Sequence, residues 1–497
     1  MKLSEEEIEA IVKAATEGEK RAARAGQASA IRRMMKGLAE LDFRPGSATA
    51  LTKLCDAGAT YGWQEWEASS PSRLLSPLSQ RAKHSLKNQL HRRLARLTRP
   101  CLELERQSFE LALTALGLGP DGGRAKSNDQ MFLRDKPGDR LFVIFKKFPV
   151  LAGLWSLLIA QWRDNTTEIL KRIANDRGAL SRVFFKGQPL GNILDIRCDL
   201  SDRHHGGRTV ALLEFEAGSL IYKPRPGEGE WQWHSLVRWM NNHGFQPRLK
   251  VALVLRRASY CWMEYVAPAS CENTAETRRF YERIGGMIAM AYLVRAVDCH
   301  RENIVASVEH PVLVDADALW HVSAVTKTQD ALSQLYRTGF FPNSDPRSLQ
   351  SRSSALGGMS AASQHKPEIA RGFAKAWRCL LGSEASRNAL ARRLSQIRST
   401  NRRWIYQATA TYDAIRKASI QPAVLRSRLE RDLLIHRYCA RDSVTSAVVK
   451  AEAEAIKQLD FPYFFRRTAE RMPPDPGAIR SETLKALERA LLSLRKR

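Results

Sequence analysis

Asp298-Cys299-His300-Arg301-Glu302-Asn303 is followed, twelve residues after its asparagine, by Asp315-Ala316-Asp317 at the end of the apolar run Val312-Leu313-Val314. An aspartate, an asparagine five residues on and a second aspartate about a dozen further is the order in which phosphoryl-transfer centres set a catalytic carboxylate and two magnesium ligands. Asn and Asp supply hard oxygen donors, and magnesium needs only one or two carboxylates when phosphates and water complete its shell. Phe280, Ile284, Met287, Ile288 and Ala291 recur at helical spacing, which predicts a buried helix over 278–296 that hands Asp298 to a loop. Ile304–Ser307 and Val312–Asp315 flank the turn Glu309-His310-Pro311, which predicts a hairpin with Asp315 where its second strand ends. Asp298, Asn303 and Asp315 would then converge on one metal-bound phosphate. The plain alternative is a polar helix-loop-strand turn with ordinary capping.

Upstream elements extend this reading. Thr209–Phe215 and Leu220–Lys223 read as strands around the turn Glu216-Ala217-Gly218, and a lysine on a strand after a glycine-containing loop suits contact with nucleotide phosphates, so Lys223 is the phosphate-binding candidate. Before them, Asp202-Arg203-His204-His205-Gly206-Gly207-Arg208 sets two imidazoles beside Gly206 and Gly207, a pair whose backbone N–H groups can approach an anion. A zinc site is the other reading of these histidines, with Cys198 as the one cysteine near them. Trp231–His243 reads as a helix behind the lysine strand, and 251–256 with 260–265 as a further hairpin. Residues 341–367 stand where an activation-type loop follows the metal aspartate, and 402–412 read as a helical run carrying Arg403. The sum is an α+β, two-lobed kinase-like core over 131–470, a helical N-terminal region over 1–130 and a basic helical tail over 471–497.

The set Leu200–Arg208, Leu220–Arg225, Asp298–Asn303 and Pro311–Asp315 resembles the dehydratase domain of class II lanthipeptide synthetases, the LanM type. Phe148–Leu151, Tyr336–Pro342, Ala355–Gly358, Arg403 with Thr409 and Tyr412, and Asp460–Phe464 follow in the same order, so the resemblance covers roughly 130–470. It implies a core related to lipid kinases that uses ATP and magnesium to phosphorylate Ser and Thr of a precursor peptide, then eliminates phosphate to leave dehydroalanine or dehydrobutyrine. Carried over motif by motif, Asp298 and His300 assist phosphoryl transfer, and Asn303 and Asp315 hold magnesium. Lys223 contacts the nucleotide and serves elimination, and Asp202 with His204 forms a second polar cluster. Arg403 and Thr409 match the pair used in phosphate elimination. Asp317 stands on the nucleotide side where the family has Glu. Gln407 occupies a place where a second basic residue is expected, which leaves open an enzyme that stops at phosphorylation, on a peptide, a small molecule or a lipid. The family's zinc-dependent cyclase has no counterpart in the eight cysteines, which show neither C-x-x-C nor a Cys-His-Gly signature, so a separate cyclase or downstream enzyme is the expected partner.

Length and composition are consistent with a large intracellular enzyme. The 497 residues are 44% hydrophobic, enough for a sizeable core. Ser4 caps an amphipathic first helix rather than a signal peptide, and the apolar run near 285–294 is too short for a bilayer. Scattered cysteines fit a reducing, cytoplasmic setting. The net charge of +27 includes Arg81, Lys83, Lys87, Arg92, Arg93, Arg96 and Arg99, a face suited to an acidic leader peptide. A basic peptide- or RNA-binding scaffold is the third reading; the lack of a DNA or RNA motif argues against nucleic acid.

Overall fold

The computed structural model describes residues 4–19, 21–41, 50–116, 137–320, 330–342, 354–359, 361–395, 401–404, 406–467 and 480–494. Much of the expected activation-type loop lies outside them. The fold is α+β, mostly helical with short antiparallel strands. The chain forms two compact units and passes between them three times: unit 1 is residues 1–219 with 406–462, and unit 2 is residues 220–405 with 463–497.

Unit 1 is built on long helices. The helix Glu5–Ala15 starts at a capping box in which Ser4 accepts from the Glu7 amide at 3.2 Å and Glu7 accepts from the Ser4 amide at 3.0 Å. The helix Gln80–Ala115 carries Leu86, Leu90, Leu94 and Leu97 on its buried side, and Pro149–Phe184 opposes it with Trp155 and Trp162. Both indoles meet partners on the first helix: Trp155 donates to Thr98 Oγ1 at 2.8 Å and Trp162 to the Leu86 carbonyl at 3.1 Å. Strands β1 (Ile193–Arg197) and β2 (Ala211–Phe215) pair antiparallel beside these helices. The helices Thr409–Ala418, Arg428–Cys439 and Ser446–Lys457 complete the unit around Tyr412, Ile435 and Ile456.

Strand β3 (Gly218–Lys223) leads into unit 2, where β5 (Cys261–Glu264) pairs antiparallel with β3 and with β4 (Val254–Arg256). The expected hairpin at the motif is present as β6 (Ile304–Ser307) and β7 (His310–Leu313), with Ile304 opposite Leu313, but its turn is Val308-Glu309 rather than 309–311 and Asp315 lies two residues past the strand end. The expected helix before it spans Thr274–Leu293, and the helix behind the lysine strand spans Glu228–Asn242. One expectation is corrected: 402–412 is not a continuous helix. Asn401–Trp404 is a strand, β8, paired with β9 (Phe464–Arg467), and the helix begins only at Thr409. Residues 401–404 pair with a segment some sixty positions away, and such pairing overrides local helical spacing. No single helix among the described residues is long and apolar enough to cross a membrane.

The helix Thr274–Leu293 is fixed by backbone-to-backbone contact with Lys366–Leu381. A Cβ on Gly372 would lie 1.7 Å from the Glu282 carbonyl oxygen, and one on Gly285 would lie 2.0 Å from that of Ile369. Only glycines permit this approach, so the axis that delivers Asp298 is set by two missing methyl groups. Gly372→Ala is expected to lower unfolding free energy by about 1–3 kcal/mol, the usual cost of overpacking, as read by urea denaturation; an unchanged midpoint would mean that the helices part freely.

Candidate functional site

In unit 2 the loop after Thr274–Leu293 is held at each step. The Val297 amide donates to the Ala318 carbonyl at 3.0 Å and the Cys299 amide to the Thr338 carbonyl at 2.8 Å. Asp298 lies between these anchors in a left-handed conformation, φ +71°. A short 3-10 turn, Arg301–Asn303, follows; the Asn303 side-chain amide donates to the Asp298 carbonyl at 2.8 Å, and the Asn303 carbonyl accepts from the Val314 amide at 2.8 Å. The hairpin thus sets Asn303 across from Val314, one residue before Asp315.

Lys223, almost fully buried, donates to Glu230 at 2.7 Å and to the Val314 carbonyl. Glu230 has no solvent exposure and also accepts from Arg225 at 2.6 Å. Arg225 reaches Asp315 at 2.7 Å and Asp317 at 3.1 Å, so one guanidinium spans three carboxylates. Burial alone would raise the Asp315 carboxyl, but Arg225 and then Lys223 outweigh it and hold Asp315 well below the usual carboxylate range. Asp317 goes the other way, raised first by burial and then by Asp315. Glu228–Asn242 approaches this strip so closely that a Cβ on Gly229 would lie 1.8 Å from the Ala316 carbonyl oxygen.

On the other flank, His300 Nε2 is 2.9 Å from Asp298 Oδ1. Burial lowers the imidazole pKa, but the Asp298 hydrogen bond together with the charges of Asp298, Glu302 and Asp315 outweighs it, and the net shift is upward. Arg403, on β8, sets a guanidinium nitrogen 3.6 Å from Asp317 and 3.9 Å from Asp298. Its plane lies 5.0 Å from the Tyr463 ring centroid, while the Tyr463 hydroxyl donates to Asp317 at 2.7 Å. Lys223, Asp298, His300, Asn303, Asp315, Asp317 and Arg403 therefore belong to one unit and are joined by a continuous set of polar contacts.

The remaining candidates lie in unit 1. Asp202 and Thr409 line the same cavity there. His204 Nδ1 is 2.8 Å from the Phe461 carbonyl. The amides of Gly206 and Gly207 donate to the Asp460 carboxylate, at 2.5 and 2.9 Å, so an anion does sit on this glycine pair and it is a side chain of the chain itself. Thr409 is six residues from Arg403, and the chain passes from unit 2 to unit 1 between them.

The donor set fits magnesium. Among the described residues no group of three or more His, Cys, Asp and Glu could hold a metal alone, and magnesium bound with substrate phosphates does not require one. The Asn303 amide nitrogen is engaged with the loop, which leaves Oδ1 to coordinate, and Asp315 is kept ionised with one oxygen engaged by Arg225.

Three residues of this network carried no assignment in the sequence: Glu230, Arg225 and Tyr463. Glu230 had a signal, because a strand lysine of this kind is matched by a glutamate on the following helix. Arg225 and Tyr463 sit inside motifs, but nothing in their spacing gives their contacts.

Residues 148–368 and 350–467 match the family described as "Domain of unknown function (DUF4135)", and the chain belongs to that family. A relative is the lacticin 481/lactococcin biosynthesis protein LcnDR2 of Lactococcus lactis subsp. lactis, 23% identical over 190 residues; the match covers 36% of this chain and 20% of the relative. The chain thus spans about a fifth of the relative's length. Both findings support the resemblance to LanM-type lanthipeptide synthetases drawn from the motifs.

Glu230→Ala should destabilise the protein by about 3–5 kcal/mol in chemical denaturation, because it leaves two buried cations sharing fewer counter-charges; a loss below about 1 kcal/mol would mean water reaches the pair. The His300–Asp298 pair contributes stability that is full below about pH 6.5 and is lost as pH rises through the raised imidazole pKa. By NMR titration, His300 should titrate above 6.5 in the native chain and at a lower pH in Asp298→Asn, where only Glu302 and Asp315 still oppose burial. An unchanged midpoint in Asp298→Asn would contradict this balance.

Proposed function

We propose that this protein is a LanM-type dehydratase acting on Ser and Thr of a ribosomally made precursor peptide. The observation that carries the reading is the unit 2 network, in which the strand lysine pairs with a buried helix glutamate beside Asn303 and Asp315 at the open end of one hairpin. The biosynthetic name of the lactococcal relative supports the substrate class.

ATP supplies the phosphoryl group and magnesium neutralises charge on its phosphates; Asn303 and Asp315 would hold the metal, and Lys223 would contact the phosphates. Asp298 would accept the proton of the attacking Ser or Thr hydroxyl, oriented by His300 on its other oxygen. A phosphorylated side chain is a good leaving group where a hydroxyl is not. Removal of the α-proton then forms the Cα–Cβ double bond as the Cβ–O bond breaks and phosphate departs. Arg403 keeps its charge at any working pH and can fork onto phosphate oxygens, which suits it to this step together with Thr409. Asp202 and His204 are the further polar groups assigned by the motifs. An acidic leader is the partner matched to the basic helix Gln80–Ala115, and ring closure would fall to another protein.

A second reading is a phosphotransferase that does not eliminate, and Gln407 is the residue that favours it, because it is neutral where a cation would assist phosphate departure. Purified protein incubated with ATP, magnesium and a Ser/Thr-containing candidate peptide is read by mass spectrometry. Loss of one water per modified site is expected. A persistent gain of one phosphoryl group per site would establish the second reading, and no modification together with no ATP turnover would overturn both.

A further inference from the structure

Unit 1 contains a cavity of about 450 Å³ between the helix Gln80–Ala115, the segment 199–203 and the start of the helix Thr409–Ala418. Three independent features make its wall electropositive. The helix Thr409–Ala418 opens at Ala408, which has no side chain to cap it, and Thr409 and Ala410 face the cavity. The first amides of a helix lack intrahelical acceptors and form its positive end, so an uncapped start of this kind takes an anion.

The second feature is Arg203. Among the described residues its buried Nε meets no acceptor, although the side chain also donates to Gln161. Burial and then Arg93 push this guanidinium down to about 9, and Asp460 and Asp199 only partly compensate. The third is the pairing of the wall carboxylates. Asp199 is held by Arg93 at 2.6 Å, and Asp413 by Arg416 at 2.6 Å and by Lys417 at 2.7 Å. Among the lining residues Arg203 and Arg96 are the cations outside these pairs. Arg96 is exposed and makes no ion pair among the described residues.

We infer that this cavity binds a phosphate monoester, with Arg96 and Arg203 as its cations and Thr409 Oγ1 and the first amides of its helix as neutral donors. The inference deepens the proposed function and rests on it for the choice of phosphate over other anions. It gives Arg96 and Arg203 a role that the motif resemblance does not assign. Arg96 comes from the N-terminal helical region, outside the residues that match the family.

The test uses the full-length chain without ATP, so that a protein unable to phosphorylate anything still gives an answer. Inorganic phosphate, a synthetic phosphoserine peptide and the same peptide unphosphorylated are titrated calorimetrically into the native chain, Arg96→Ala, Arg203→Gln and Arg96→Lys. Phosphate and phosphopeptide should bind saturably, each about tenfold or more weaker in Arg96→Ala and in Arg203→Gln, with part of the affinity restored in Arg96→Lys. Tighter binding of the phosphopeptide than of phosphate identifies the phosphorylated substrate as the ligand; equal binding identifies released phosphate. Affinities unchanged by all three substitutions, equal binding of the unphosphorylated peptide, or no saturable binding would each overturn the inference. Arg96 is exposed, so its variants report binding even where Arg203→Gln perturbs folding, and thermal melts check each protein.

Discussion

Arg225 is the group on which the unit 2 site depends. Glu230, Asp315 and Asp317 are carboxylates brought close together out of bulk water, an arrangement that by itself would force protons onto them. A single guanidinium touching all three, helped by Lys223 on Glu230, keeps Asp315 ionised and leaves Asp317 to absorb the excess repulsion. Arginine suits the position because its charge is spread over a fork and survives burial where a lysine's would be shed. Buried ion networks add little net stability, since desolvation consumes most of the attraction. Their use here is to fix which carboxylate is charged and where it points.

That network also explains why the site is assembled from so many short pieces. The lysine strand, the helix Glu228–Asn242, the hairpin β6–β7 and the pair β8–β9 each contribute one or two groups, and none of these elements is long enough to be stable alone. The glycine contacts at Gly285, Gly372 and Gly229 bring backbones together at the distances the polar groups require. Packing sets the geometry, and the charges then select among its small variations.

Much of this was legible in the sequence because the informative signals were local. The hairpin around Glu309-His310-Pro311 and the helix ahead of Asp298 follow from period-two and helical spacing within a few residues, and the motif order gave Lys223, Asp298, Asn303 and Asp315. What was not legible depends on partners far along the chain. Arg402–Tyr412 has helical spacing, but β9 draws its first residues into a strand. The Tyr463–Asp317 bond joins residues 146 positions apart, and no periodicity encodes it. The division of the chain at Ser219, Ile405 and Pro462 follows contacts rather than composition, so Arg403 and Thr409, close in sequence, fall in different units.

The left-handed backbone at Asp298 has a consequence of an evolutionary kind. A residue with a Cβ in that conformation carries a cost of about 1 kcal/mol or more, somewhat less for Asp or Asn, and glycine would carry none. Selection for thermal tolerance alone would therefore favour glycine at this position, and the proton transfer proposed for Asp298 would oppose it. In a lineage that retains the fold after losing the chemistry, position 298 is where drift toward glycine would first record the loss.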